Sequence, residues 1–147
     1  MFLQVCILLH CKIYAMHPRG FINGIHYCFI VDEIGMASVF PQIKLRLSEH
    51  TKHHVSLIYF SANNLFAFKK ELTLLEKIFC LQFMVSYEST DSSISVSQEV
   101  IEAILNANVM GKMGFIISGV ERFIMEVKTT LHFLGVENIE IKERLFS

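Results

Sequence analysis

From Ile25 onward, short unbroken apolar runs alternate with longer segments in which apolar residues recur every three or four positions. His26–Val31 (HYCFIV) is the first run, short and continuous enough to be a strand buried on both faces. Ala37–Glu49 then carries Val39, Phe40, Ile43 and Leu47 at helical spacing, with Pro41 in its first turns, where early N–H groups lack an intrahelical partner anyway. Val55–Phe60 is a second strand, Ser61–Asn64 a polar turn, and Phe66–Phe79 a helix with Phe68, Leu72, Leu75 and Phe79 on its apolar stripe. Asn63 or Asn64 is the expected cap of that helix. Gln82–Tyr87 is a third strand and the Ser/Thr/Asp-rich stretch Glu88–Ser95 a loop. Ser97 caps a helix over Gln98–Asn106, Gly114–Ser118 is a fourth strand, Glu121–Leu134 a helix stopped by Gly135 at its C′ position, and Ile139–Lys142 a fifth strand.

Strands separated by amphipathic helices form parallel sheets, because a parallel pair needs a crossover longer than a hairpin can supply. Right-handed crossovers place helices on both faces, giving an α/β, doubly wound, five-stranded parallel sheet whose order reverses at the first strand, 3-2-1-4-5. Ligands of such sheets sit beyond the carboxyl ends of the strands at the reversal. The segments to watch are therefore Asp32–Ser38, Ser61–Asn64, Tyr87–Ser89 and Ser118–Phe123.

Composition narrows the function classes. The 147 residues are 52% hydrophobic and 18% charged with two prolines, which suits one domain with a full-sized core. A formal charge of −1 with scattered Lys and Arg offers no basic stripe for nucleic acid. Cys6, Cys11, Cys28 and Cys80 contain no CxxC pair, so free thiols in a reducing cytoplasm are expected. The apolar run Val5–Leu9 has neither a basic residue before it nor a small-residue cleavage site after it, and is too short to span a membrane; it reads as a strand.

Six segments in register carry a resemblance. Gly35-Met36-Ala37 opens a helix after the first strand, as does the Gly-x-Gly-[Ile/Met]-[Ala/Thr]-Pro turn of the ferredoxin-reductase superfamily of flavin oxidoreductases, which includes reductase components of ring-hydroxylating oxygenases. His17-Pro18-Arg19-Gly20-Phe21 is similar to the Gly-Pro-x-Gly-x-Phe linker by which that family leaves its flavin barrel. Phe68-Lys69-Lys70-Glu71-Leu72 resembles its Phe-x-x-Glu-Leu, and Phe115-Ile116-Ile117-Ser118-Gly119 its strand ending in Cys-Gly. Leu134-Gly135-Val136 and Glu143-Arg144-Leu145-Phe146 resemble its Leu-Gly-Val linker and terminal Glu-x-Phe. The resemblance implies a Rossmann-like NAD(P)-binding domain over residues 25–147, preceded at 1–24 by remnant strands and the linker of a flavin barrel. It implies hydride transfer from NAD(P)H to a flavin, FAD or FMN, supplied by a missing or partner domain, with electrons leaving to an iron–sulfur or haem partner. The cofactor-binding positions it implies are Gly35, Met36, Ala37, Ser38, Ser61, Gly119, Val120 and Phe146, with Ser118 at the place of the family's catalytic cysteine.

Several residues depart from that pattern. Asp32 and Glu33 stand where the family has glycine, and at an effective dielectric near 20 each carboxylate–phosphate pair a few ångströms apart costs on the order of several kcal/mol. Weak or absent dinucleotide binding is the consequence. Ser38 replaces proline, Val120-Glu121 a proline pair, and Ser61-Ala62-Asn63 lacks the arginine that would favour a 2′-phosphate. The flavin barrel is reduced to Phe2–Met16. An apolar face left by its loss favours a homodimer.

The remaining candidate chemistry is weighed against plain structural roles. His50, His53 and His54 have no thiol or carboxylate at metal-ligand spacing and read as a solvated loop. Glu71 and Glu76, beside Lys69, Lys70 and Lys77, read as a charged helix face. Cys28 reads as core. Asp32 with Glu33 suits either a carboxylate pair for a metal or proton, or the residue of a lost nucleotide site. Ser118 suits either a hydrogen bond to a nicotinamide amide or a cap on the next helix. Three hypotheses stay open: a reductase-type NAD(P) lobe, a non-catalytic interaction domain that has lost the dinucleotide, and an unrelated doubly wound binding protein.

Overall fold

The computed structural model describes residues 24–49, 53–89, 98–107 and 112–142. Five strands, β1 (His26–Val31), β2 (His54–Ser61), β3 (Phe83–Ser89), β4 (Met113–Ser118) and β5 (Ile139–Ile141), alternate with four helices, α1 (Met36–Glu49), α2 (Lys69–Ile78), α3 (Gln98–Ala107) and α4 (Glu121–Phe133). All strand pairs are parallel, in the order β3-β2-β1-β4-β5. The expected fold class and strand order are what the chain adopts.

The period of two along each strand sorts the core into two layers. Phe29 and Val31 of β1, with Leu57 and Tyr59 of β2, face Val39, Ile43 and Leu47 of α1 and Leu72 of α2. Cys28 and Ile30, with Ile58 and Phe60, face Ile101 and Ile104 of α3 and Phe123, Val127 and Leu131 of α4. Burial on both faces explains why β1 and β2 read as continuous apolar runs, and each fully buried large side chain contributes about 1.5–3 kcal/mol of hydrophobic stabilisation. Pro41 lies inside α1 on its solvent side, where its missing N–H leaves only an exposed carbonyl without a partner turn.

The stop of α4 is as expected: Gly135 has φ +84, its N–H donates to the His132 carbonyl, and the Val136 N–H donates to the Leu131 carbonyl, the paired bonds of a Schellman motif. Other boundaries differ. α2 begins at Lys69, not Phe66, and its N-cap is Phe68 in the left-handed region (φ 62), with no side-chain cap from Asn63 or Asn64. The stacking of Phe68 on Phe40, with ring centroids 4.5 Å apart, holds that unusual backbone in place. Glu88 and Ser89 belong to β3, not to a loop, because they pair with Phe60 and Ser61 of β2. Ser97, the expected cap of α3, the linker His17–Phe21 and the remnant strands Phe2–Met16 lie outside the described residues, as do Cys6 and Cys11.

Candidate functional site

β1 and β4 are neighbours whose following chains run to opposite faces of the sheet, so the turns after them open a cleft at the reversal point. Two glycines set its width. A Cβ on Gly35 would stand 2.0 Å from the Ser118 carbonyl oxygen, so the first turn lies directly on the end of β4. A Cβ on Gly119 would stand 2.6 Å from the carboxyl group of Asp32, so that side chain fills the cleft between the turns.

The Asp32 carboxylate gathers the free N–H groups of both turns. Its Oδ1 accepts from Ile34 N–H at 2.9 Å and Gly35 N–H at 2.8 Å, and its Oδ2 accepts from Val120 N–H at 2.7 Å, just before α4. Its own N–H donates to the Ser118 carbonyl at 3.3 Å and its carbonyl accepts from Met36 N–H at 3.1 Å. Charge-assisted bonds from a first helical turn and a second helix start are the same interactions a phosphate would use there. Glu33, one residue on, reaches the end of β2, where its Oε1 accepts from the Ser61 hydroxyl and from Ala62 N–H at 3.0 Å. The two acids thus tie together the turns after β1, β2 and β4. The expected repulsion of an incoming phosphate is joined by something the sequence did not reveal: the donors are already taken.

The other candidate positions divide between cleft and core. Gly35, Gly119 and Val120 border the cleft, and Ala37 is exposed beside it. Met36 is fully buried in the core and Ser38 is buried at 5% exposure, so neither side chain faces the opening. Ser118 is fully buried and its hydroxyl donates to the Lys142 carbonyl at 3.1 Å, at the end of β5; it does not cap α4, whose N-cap is Val120 without a side-chain bond. Ser61 accepts from Leu65 N–H at 3.2 Å as well as donating to Glu33, which orders the turn after β2. Phe146 lies outside the described residues.

Sequence reasoning missed an aromatic group beside this cleft. Tyr59, Phe66 and Tyr87 meet edge to face or tilted at 4.9–6.3 Å between centroids, and the Lys69 ammonium stands 4.9 Å from the Tyr87 ring centre. Phe66, Phe68, Lys69, Lys70, Glu71 and Thr73 line an open depression next to it. Burial first, then the charges of Glu33 and Asp32, push the Tyr59 hydroxyl above its ordinary value, while the Ala67 N–H bond it accepts pulls the other way. Tyr87 is pushed up to about 12 by burial and then by the charge of Glu76. Tyrosines near the ends of two adjacent strands, Tyr59 paired with Tyr87, were the available signal.

His54 is not part of a solvated loop, and His53 beside it is half-buried. His54 begins β2 and burial lowers its pKa, His53 accepts from Ile25 N–H at 3.3 Å, and His26 shares a 2.7 Å hydrogen bond with Ser56; His50 lies outside the described residues. Among the described residues no group of three or more His, Cys, Asp or Glu could hold a metal ion. Glu76 is half-buried rather than part of a charged face, and its Oε1 accepts from Val85 N–H at 2.9 Å. Cys28 is buried, and desolvation pushes its thiol up to about 12, far from a reactive thiolate. No helix among the described residues is long and apolar enough to cross a membrane.

No family model matches the sequence, and no curated protein matches it. A solved structure does: the chain is similar to the CS-b5R (cytochrome b5 reductase) domains of human Ncb5or in its NAD+ form, with a TM-score of 0.66 and 14% identity over 80% of this chain. The match takes in 36% of that solved chain, which is one domain's share of a multidomain protein. At that identity the likeness is one of fold alone, a Rossmann-like five-stranded parallel sheet flanked by helices.

Proposed function

We propose that this chain is the nucleotide lobe of a ferredoxin-reductase-like oxidoreductase, a lobe that presents the nicotinamide of NAD(P)H to a flavin carried by a partner domain or chain. The observation supporting this reading is the close backbone approach of the Gly35 turn to Ser118 and Gly119 at the sheet's reversal point. Two helix starts converge there, and of the segments that resemble the family Gly35-Met36-Ala37 and Phe115–Gly119 meet at this point. Bound NAD(P)H would supply the hydride chemistry, and the protein position and electrostatics.

The reversal point suits a dinucleotide by its place in the sheet but not by its donors. Ile34, Gly35 and Val120 N–H are the groups a pyrophosphate would need, and the Asp32 carboxylate holds all three. No catalytic step is therefore assigned to this arrangement. The same observation favours a second reading, a non-catalytic interaction domain that keeps the sheet and has given up the coenzyme.

Coenzyme binding separates the two. The chain has no tryptophan, so NADH and NADPH fluorescence can be followed without a competing indole signal. The lobe reading expects the variant carrying Asp32→Gly and Glu33→Gly to bind one of them with a Kd below ~1 mM, and ligand at about 100 times Kd to add ~2.7 kcal/mol of stability. A folded double variant that binds neither coenzyme leaves the non-catalytic reading.

A further inference from the structure

We infer that Asp32 is an intramolecular occupant of the phosphate cradle, so that what keeps anions out of the cleft is a seat already filled and not charge repulsion alone. The inference rests on reading the cleft as a nucleotide cleft and concerns how that cleft is regulated. Its ground is the convergence of three N–H groups from two separate turns on one carboxylate at 2.7–2.9 Å. A residue that merely repelled phosphate would point its charge at solvent. Asp32 instead spans both halves of the cleft, one oxygen on each turn, as a bridging phosphate would. Gly119 marks the same place from the other side, because any side chain there would meet the carboxyl group. Glu33 repeats the arrangement at the edge of the cleft: its Oε1 takes the Ser61 hydroxyl and Ala62 N–H at the end of β2.

Occupancy and repulsion make different demands on a substitution. Asp32→Asn removes the charge and gives up the Val120 bond, since its NH2 cannot accept, yet it keeps the bulk and one acceptor oxygen for Ile34 and Gly35 N–H, so the space stays filled. Asp32→Ala removes charge and occupant together. Asp32→Ser, a second variant for the case in which alanine does not fold, retains a cap on the first turn but is too short to bridge to Val120.

The test is calorimetric titration of inorganic pyrophosphate into the wild-type chain and these variants at one fixed ionic strength, with circular dichroism to establish folding. Occupancy expects Asp32→Ala and Asp32→Ser to bind pyrophosphate at least ~10-fold more tightly than Asp32→Asn, with Asn close to wild type. Equal gains from Asn and Ala would assign the obstacle to charge and overturn the inference. So would pyrophosphate affinities for folded Ala and Ser variants no better than wild type. Pyrophosphate binding by Asp32→Ala alongside failure of the double-glycine variant to bind NADH or NADPH would leave the inference standing and remove the lobe reading.

Discussion

Gly35 and Gly119 look alike in the sequence, each a glycine in a turn at a strand end, but they exclude a side chain for different reasons. The atom a Gly35 Cβ would strike belongs to the backbone at Ser118, which is fixed by the β1–β4 pairing; the atoms a Gly119 Cβ would strike belong to the Asp32 side chain, which can rotate away. Gly35→Ala is therefore expected to destabilise by about 3 kcal/mol or more and Gly119→Ala by about 1–2 kcal/mol, both read from urea unfolding. Equal losses would mean that Asp32 is as immovable as the backbone. At this scale the sequence was partly legible. It pointed to the right turns, because a glycine just past a strand end marks a place where backbone must come close to something, and it flagged Asp32 and Glu33 as anomalous. It did not reveal the direction of their carboxylates, since Val120 and Ser61 are 88 and 28 residues from the acids they bind. Ser118 is a similar case, its hydroxyl committed to Lys142, 24 residues later.

Elements were read well where one period dominated and poorly where a neighbour decided. The apolar runs of β1, β2 and β4 and the stripes of α1 and α4 follow from burial alone. The end of β3 depends on its ladder with β2, and the start of α2 on the stacking of Phe68 against Phe40, neither of which local propensity reports. Glu76 shows the same limit: surrounded by lysines in sequence, it leaves the charged face of α2 to bind the backbone of β3, the edge strand of the sheet. Supplying partners to edge N–H groups protects a sheet from pairing with other chains. Burial raises the Glu76 carboxyl above its ordinary 4.5, with the Val85 N–H pulling the other way. The folded state then holds the proton more tightly than the unfolded chain, so the group's contribution is complete below that ordinary value and is lost as pH rises through the folded one. Glu76→Gln, which keeps an acceptor for Val85, is expected to gain stability relative to wild type between pH 4 and pH 7. Glu76→Ala orphans the Val85 N–H and should cost about 1–2 kcal/mol at pH 4 and less at pH 7. Thermal melts at both pH values would test this, and a Gln variant whose difference from wild type is independent of pH would contradict it.

Across the whole molecule, fold and function are legible to different depths. The alternation of apolar runs with helical stripes was enough for the doubly wound sheet and its 3-2-1-4-5 order, because right-handed crossovers leave few other arrangements. A solved structure shares this arrangement at 14% identity, a likeness of fold alone. Function depends on a handful of side-chain directions at one end of that sheet, and here the three turns are stitched shut by two acids. The proposed nucleotide lobe has its cradle filled by its own Asp32. The most direct measurement is nuclear magnetic resonance of the 15N-labelled chain, following the amides of Ile34, Gly35 and Val120 while NADH is added to the wild type and to the Asp32→Gly, Glu33→Gly variant. These three amides are expected to stay in place in the wild type at ~1 mM NADH and to shift together in the variant. Movement of all three in the wild type at micromolar NADH would contradict it.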